Sequence, residues 1–248
     1  LKLSSNPKVI EQLNFVERNS KYLLSLVNQL MDFRKVESGK LEIVKSFGNF
    51  LNFVHTLVEP FRIFAGERNI KIEEYIRMSD SNLMFDEDAM HKVFTNLMSN
   101  AIKFTPDGGQ VRLYIASLYK DGHPQLYISV SDTGSGVPEE DLQKIFNRFY
   151  QSKGQIKYPV YGQAGTGVGL YLCKRIVQMH GGEIVARNNH SIGCSFRIML
   201  PLSEDEHHEN DNYNKPVQTA EVYTLPDEET EKTKLAILVV EDNIDMRN

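Results

Sequence analysis

The sequence predicts an α/β sandwich, a mixed sheet with helices on one face, preceded by one long helix. Three observations carry this. Residues 7–38 keep a seven-residue apolar repeat. Beyond residue 41, strand-like alternation and helix-like periodicity take turns as far as residue 202. Glycine-rich turns separate the segments, with no internal repeat.

The long helix opens on Asn6-Pro7, a cap followed by a first-turn proline. Val9, Leu13, Val16, Ser20, Leu23, Val27 and Leu30 recur at alternating spacings of 4 and 3, a heptad seam. Tyr22, Leu24, Leu26, Met31 and Phe33 widen the apolar face. Such a face needs a partner helix, a homodimer bundle, or a surface of its own domain. Gly39 is the expected C-cap.

Leu41 to Phe47 alternates like a strand, and Phe50 to Phe64 reads as a helix that Pro60 should kink or break. Ile70 to Ile76 and Asn82 to Phe85 read as strands. Asp86 to Phe104 is a helix whose apolar face is Met90, Val93, Phe94, Leu97, Met98, Ala101 and Phe104. Gln110 to Leu118 and Gln125 to Ser131 form a hairpin about Asp121-Gly122. Asp141 to Phe149 reads as a helix, and a polar glycine-rich stretch runs on to Gly169. Leu170 to His180 is a helix ended by Gly181-Gly182. Glu183 to Arg187 and Cys194 to Leu200 make the last hairpin.

Composition narrows the function. The 248 residues carry a net charge of -5. Residues 203–234 hold ten acids and three bases, so the rest is nearly neutral. That acidic stretch has too few large apolar residues to offset chain entropy and reads as a linker or an acidic docking tail. No basic patch with interleaved aromatics argues for nucleic acid. Two cysteines, Cys173 and Cys194, exclude a disulfide scaffold and a cysteine zinc cluster. The longest aliphatic run is six residues, Leu235 to Val240, against the ~18 of a membrane span. The start lacks Met and an apolar signal region, and reads as the start of an excised fragment.

Three constellations carry chemistry. Asn96, Asn100 and Lys103 share one helix face. They suit either a solvated surface or a metal-bound polyphosphate, since an Asn oxygen can ligate Mg²⁺. Asp132-Thr133-Gly134-Ser135-Gly136 follows an apolar strand. It is either a plain turn or a loop whose carboxylate accepts from an exocyclic amine. Gly165-Thr166-Gly167-Val168-Gly169-Leu170 opens a helix, where backbone N–H groups favour an anion. Its spacing is neither a Walker A loop nor a dinucleotide fingerprint.

Taken in order, these motifs resemble those of sensor histidine kinases. Asn96 to Thr105 is similar to their N-box and Asp132 to Gly136 to their G1 box. Phe146-Asn-Arg-Phe149-Tyr150 is similar to their F-box and Gly165 to Leu170 to their G2 box. Gly193-Cys-Ser195-Phe196 matches the last strand pair, with Ser195 where Thr is usual. The resemblance covers roughly 41–202 and implies a Bergerat-type sheet that binds ATP with Mg²⁺. It implies Asn100 as Mg²⁺ ligand, and Asn96 and Lys103 on the phosphates. Asp132 falls on the adenine amino group, with Gly134 and Gly136 beneath the base. Gly165, Thr166, Gly167, Gly169 and Leu170 fall around the phosphates, and Ser195 is counted with the nucleotide-binding set. A lid would span about Gln151 to Ala164, with hinges at Gly154, Gly162 and Gly165. Arg148 and Tyr150 are candidates to reach the γ-phosphate.

Residues 1–40 resemble the second helix of a dimerisation and phosphoacceptor hairpin. Residues 235–248, with Glu241-Asp242, resemble the start of a receiver domain. That pair would be half of a Mg²⁺ site. Kinase followed by receiver implies a hybrid kinase that dimerises through its hairpin. The resemblance places this fragment in the cytoplasm and tethers the intact protein to the inner membrane. None of the seven histidines (55, 91, 123, 180, 190, 207, 208) has the acceptor context. Related clamp-type ATPases carry Glu where Asn96 stands, and an Asn cannot act as the hydrolytic base. The remaining alternatives are such a clamp ATPase or a non-catalytic module with a vestigial site.

Overall fold

A computed structural model describes residues 7–78, 81–152 and 166–202. Gly165, most of the lid, the acidic linker and the Glu241-Asp242 pair lie outside the described residues.

Helix α1 (Pro7–Glu37) precedes strand β1 (Ser46–Asn49), helix α2 (Phe50–Gly66), β2 (Lys71–Arg77) and β3 (Asn82–Phe85). Helix α3 (Glu87–Phe104), β4 (Gln110–Lys120) and β5 (His123–Asp132) follow. Helix α4 (Gly169–Met179), β6 (Glu183–Asn188) and β7 (Cys194–Pro201) close the domain. The main sheet runs β2-β4-β5-β7-β6. Only β2 and β4 pair in parallel, so the sheet is mixed as expected. Helices α2, α3 and α4 pack on β2, β5 and β6. A two-stranded antiparallel sheet, β1 with β3, stands apart.

The core lies between sheet and helices. Val111, Leu113 and Ile115 of β4 and Ile128 and Val130 of β5 are fully buried. They meet Phe50, Val54 and Val58 of α2 and Met90, Val93, Phe94, Leu97 and Met98 of α3. Each large side chain removed from water contributes roughly 1.5–3 kcal/mol.

Asp86 fixes the start of α3. Its Oδ1 accepts from the Ala89 N–H at 2.9 Å, and its Oδ2 accepts from the Val44 N–H at 2.8 Å. This corrects the expected strand over Leu41 to Phe47. The Val44 N–H goes to a helix cap rather than a ladder, and pairing begins only at Ser46. Leu41 and Ile43 still pack on the core.

Helix α2 runs through Pro60 unbroken. A mid-helix proline costs ~3 kcal/mol or more. Pro60 sits on the exposed side, and burial of Phe50, Phe53, Val54, Leu57 and Val58 offsets that cost. The helix expected over Asp141 to Phe149 is instead two single turns, Glu139–Asp141 and Lys144–Phe146. Asn147 turns to extended backbone, and the Phe149 N–H bonds the Gly167 carbonyl at 2.9 Å. That long-range bond requires the helix to stop.

Seam residues Leu13, Val16, Leu23, Val27 and Leu30 of α1 are each more than half exposed. Its last turns meet the domain, where Phe33 and Val36 pack with Val168, Tyr171 and Leu172. Among the described residues, no helix is long and apolar enough to cross a membrane.

Candidate nucleotide site

Helix α3 is the axis of the site. Its middle meets the start of α4, and its end meets the loop after β5. The Asn96 Nδ2 donates to the Lys92 carbonyl at 2.8 Å, which turns Oδ1 toward α4. A Cβ on Gly169 would stand 2.3 Å from that oxygen. A Cβ on Gly134 would stand 2.4 Å from the Phe104 carbonyl oxygen. The second and third constellations therefore each adjoin the helix that carries the first. Asn100 and Lys103 are half-buried on the same helix, with the Lys103 ammonium 5.8 Å from the Phe104 ring centre.

Asp132 is the buried charge of the site. Its Oδ1 accepts from the Gly134 N–H at 2.8 Å and from the Cys194 N–H at 3.3 Å. Both bonds fall on one oxygen, Oδ1. Burial pushes the carboxyl up to about 6, against the pull of those two N–H groups. Thr133 fastens the loop to β4: the Gln110 N–H donates to Thr133 Oγ1 at 2.8 Å, and the Thr133 N–H to the Gln110 carbonyl at 3.0 Å. Gly136 abuts the Asn188 carboxamide.

Gly167 has a φ of +70°, and a Cβ there would stand 2.6 Å from the Phe149 carbonyl carbon. Only glycine admits the F-box chain so close. Leu170 is half-buried beside the core. Cys173 and Cys194 are buried thiols whose pKa values rise to about 12, chiefly through desolvation, so neither is a nucleophile at neutral pH.

Four further side chains expected at the nucleotide hold protein partners in the structure. The Arg148 guanidinium pairs with Glu37 of α1 at 2.5 Å. The Tyr150 hydroxyl donates to Asp141 at 2.5 Å, and this bond raises its pKa to about 12. The Thr166 hydroxyl donates to Gln29 of α1 at 3.0 Å. The Ser195 hydroxyl donates to Asn189. Packing of α1 on its own domain is one of the alternatives in the sequence, but its polar partners are not legible there. Glu37 also accepts from Tyr171, Asp32 pairs with Lys92 at 2.8 Å, and Phe33 stacks at tilted angles on Phe149 and Tyr171. Polar residues on a heptad helix carry no local sign of such contacts.

The residues fit a metal nucleotide better than a bare metal. Among the described residues no group of three or more His, Cys, Asp or Glu could hold an ion. A lone Asn100 oxygen suits Mg²⁺ only when phosphate oxygens and water complete its shell.

A family model for histidine kinase-, DNA gyrase B- and HSP90-like ATPases matches residues 85–204, which contain α3, the Asp132 loop and α4. The chain carries the ATP-binding catalytic domain of the histidine kinases. It is 31% identical to histidine kinase P4 of Formosa agariphila, over 97% of this chain and 18% of that protein. It is 36% identical to hybrid signal transduction histidine kinase D of Dictyostelium discoideum, over 80% of this chain and 13% of that protein. The chain thus spans less than a fifth of either relative's length. The fold is that of full-length ShkA in complex with AMPPNP, at a TM-score of 0.66 and 24% identity, covering 81% of this chain and 40% of ShkA.

Proposed function

We propose that this domain binds Mg²⁺-ATP and, in the intact hybrid kinase, transfers the γ-phosphoryl group to a hairpin histidine, for relay to a receiver aspartate. In this reading, residues 1–40 are the second hairpin helix, 41–202 the catalytic domain, 203–234 a linker and 235–248 the start of a receiver. The partners are a second copy of the chain through the hairpin, the acceptor hairpin and the receiver.

The observation that carries the reading is the adjacency around α3. Asn96 faces the glycine-rich start of α4, while the Asp132 loop closes on the far end. Asp132 Oδ2 accepts from the adenine amino group. Asn96, Lys103 and the N–H groups at residues 166–169 orient the phosphates. Asn100 holds Mg²⁺, which neutralises phosphate charge when bound. Phosphoryl transfer relies on positioning and charge stabilisation. Asn96 has no basic group to activate water, so steady hydrolysis is slow and transfer to a protein side chain is favoured.

Calorimetric titration of ATP, with and without Mg²⁺, tests this on the chain and on Asp132→Ala. The expected result is Mg²⁺-dependent binding lost in the variant. Absence of binding to the unmutated chain sinks the kinase reading in favour of a vestigial module. Rapid steady hydrolysis revives the clamp-type ATPase.

A further inference from the structure

The turn between β6 and β7 grips the Asp132 loop through a single carboxamide. Asn189 Nδ2 stands 2.9 Å from the Asp132 carbonyl oxygen, 3.1 Å from Ser131 Oγ and 3.1 Å from the Ile192 carbonyl oxygen. Asn189 Oδ1 accepts from the Ser195 hydroxyl. Three oxygens around one end and a hydroxyl donor at the other fix which way the amide points. The approach is tight. A Cβ on Gly193 would stand 1.8 Å from the same Asp132 oxygen.

Its neighbour Asn188 holds the far end of the loop. The Val137 N–H donates to Asn188 Oδ1 at 2.8 Å, and Asn188 Nδ2 donates to the Val137 carbonyl at 2.6 Å. Consecutive side chains thus fix residues 132 and 137. The Asp132 carboxylate is aimed only as well as its own backbone is held.

Resting on the reading of Asp132 as the adenine acceptor, we propose that Asn189 is a positioning residue for base selectivity. It acts through the Asp132 backbone, and Ser195 acts through Asn189 by orienting the amide. Ser195 thereby supports the site through Asn189. The ligand class is a purine nucleotide bearing a 6-amino group, discriminated from one lacking it.

The test is a calorimetric comparison of ATP with purine riboside triphosphate, which lacks only the 6-amino group. The proteins are the unmutated chain, Asn189→Ala and Ser195→Ala. A lost positioning bond should weaken ATP by about tenfold in Asn189→Ala while the analogue changes by less than about twofold, so the affinity ratio collapses. Ser195→Ala should move the ratio the same way, by less, and decides the matter alone if Asn189→Ala does not fold. Equal weakening of both ligands, or an unchanged ratio, overturns the proposal, because a merely structural role moves both alike. If the unmutated chain binds both ligands equally, the adenine reading of Asp132 falls and takes this inference with it. If it discriminates and the variants still do, only the inference falls.

Discussion

Arg148 and Glu37 form an ion pair at 2.5 Å although 111 residues separate them in the chain. Glu37 also accepts from the Tyr171 hydroxyl at 2.5 Å, and it is that bond first, with Arg148 second among its partners, that lowers its carboxyl pKa. One carboxylate on α1 therefore ties the F-box to α4. The pair is solvent-accessible, with 54% of the Arg148 side chain exposed, so its contribution is small and screened by salt. Glu37→Gln is expected to leave the melting temperature almost unchanged. Hydrogen exchange should rise in the last turns of α1 and at residues 147–150. Unchanged exchange there would mean that the remaining contacts of Phe33, Val36, Asp32 and Gln29 hold α1 without Glu37.

The reading of Asp132 as the adenine acceptor predicts a pH dependence of base recognition. The Asp132 carboxyl is raised by burial to about 6, and the ionised form is the stronger acceptor from an amine. ATP binding should therefore weaken as pH falls through about 6 and level off above it. The triphosphate ionises in the same range, so the quantity to measure is the ratio of ATP to purine riboside triphosphate affinity. A ratio that stays flat between pH 5 and 8 shows that ionisation of Asp132 does not govern base recognition. The same shift has a stability consequence. The folded pKa lies above the ordinary ~3.9, so stability falls as pH rises from about 4 to about 6 and is then constant.

Gly193→Ala tests the interlock of the last hairpin with the Asp132 loop. The residue has a φ of +90°, and its Cβ would overlap a backbone oxygen. Neither partner is a flexible side chain that can swing away. A loss of ~2–4 kcal/mol is expected, read as a fall in urea midpoint with an unchanged slope. A variant as stable as the original would show that the turn can move away from Asp132.

Leu23→Glu and Val27→Glu test the open seam of α1. Both side chains are more than half exposed on one chain. A charge at either position should abolish self-association, measured by sedimentation, and leave the melting of the catalytic domain unchanged. A chain that is monomeric before mutation would assign the seam to a hairpin partner supplied by residues outside this chain.

Local signals made the α/β sandwich, the order of its elements and the three constellations legible in the sequence. Apolar periods of seven and two and glycine turns all act within a few residues. The nucleotide motifs were legible for the same reason, since each is a short run on one helix face or one loop. Only the tertiary structure decided what those runs touch. The Val44 N–H bonds a cap 42 residues away, so the expected strand shortens to Ser46–Asn49. The bond from Phe149 to Gly167 ends a helix that the pattern of residues 141–149 would extend. Glu37 on Arg148 and Asn189 on Asp132 are polar contacts between distant segments. A charge or an amide carries no period and names no partner. Its place is set when the apolar core brings the segments together and each buried polar group must find a bond.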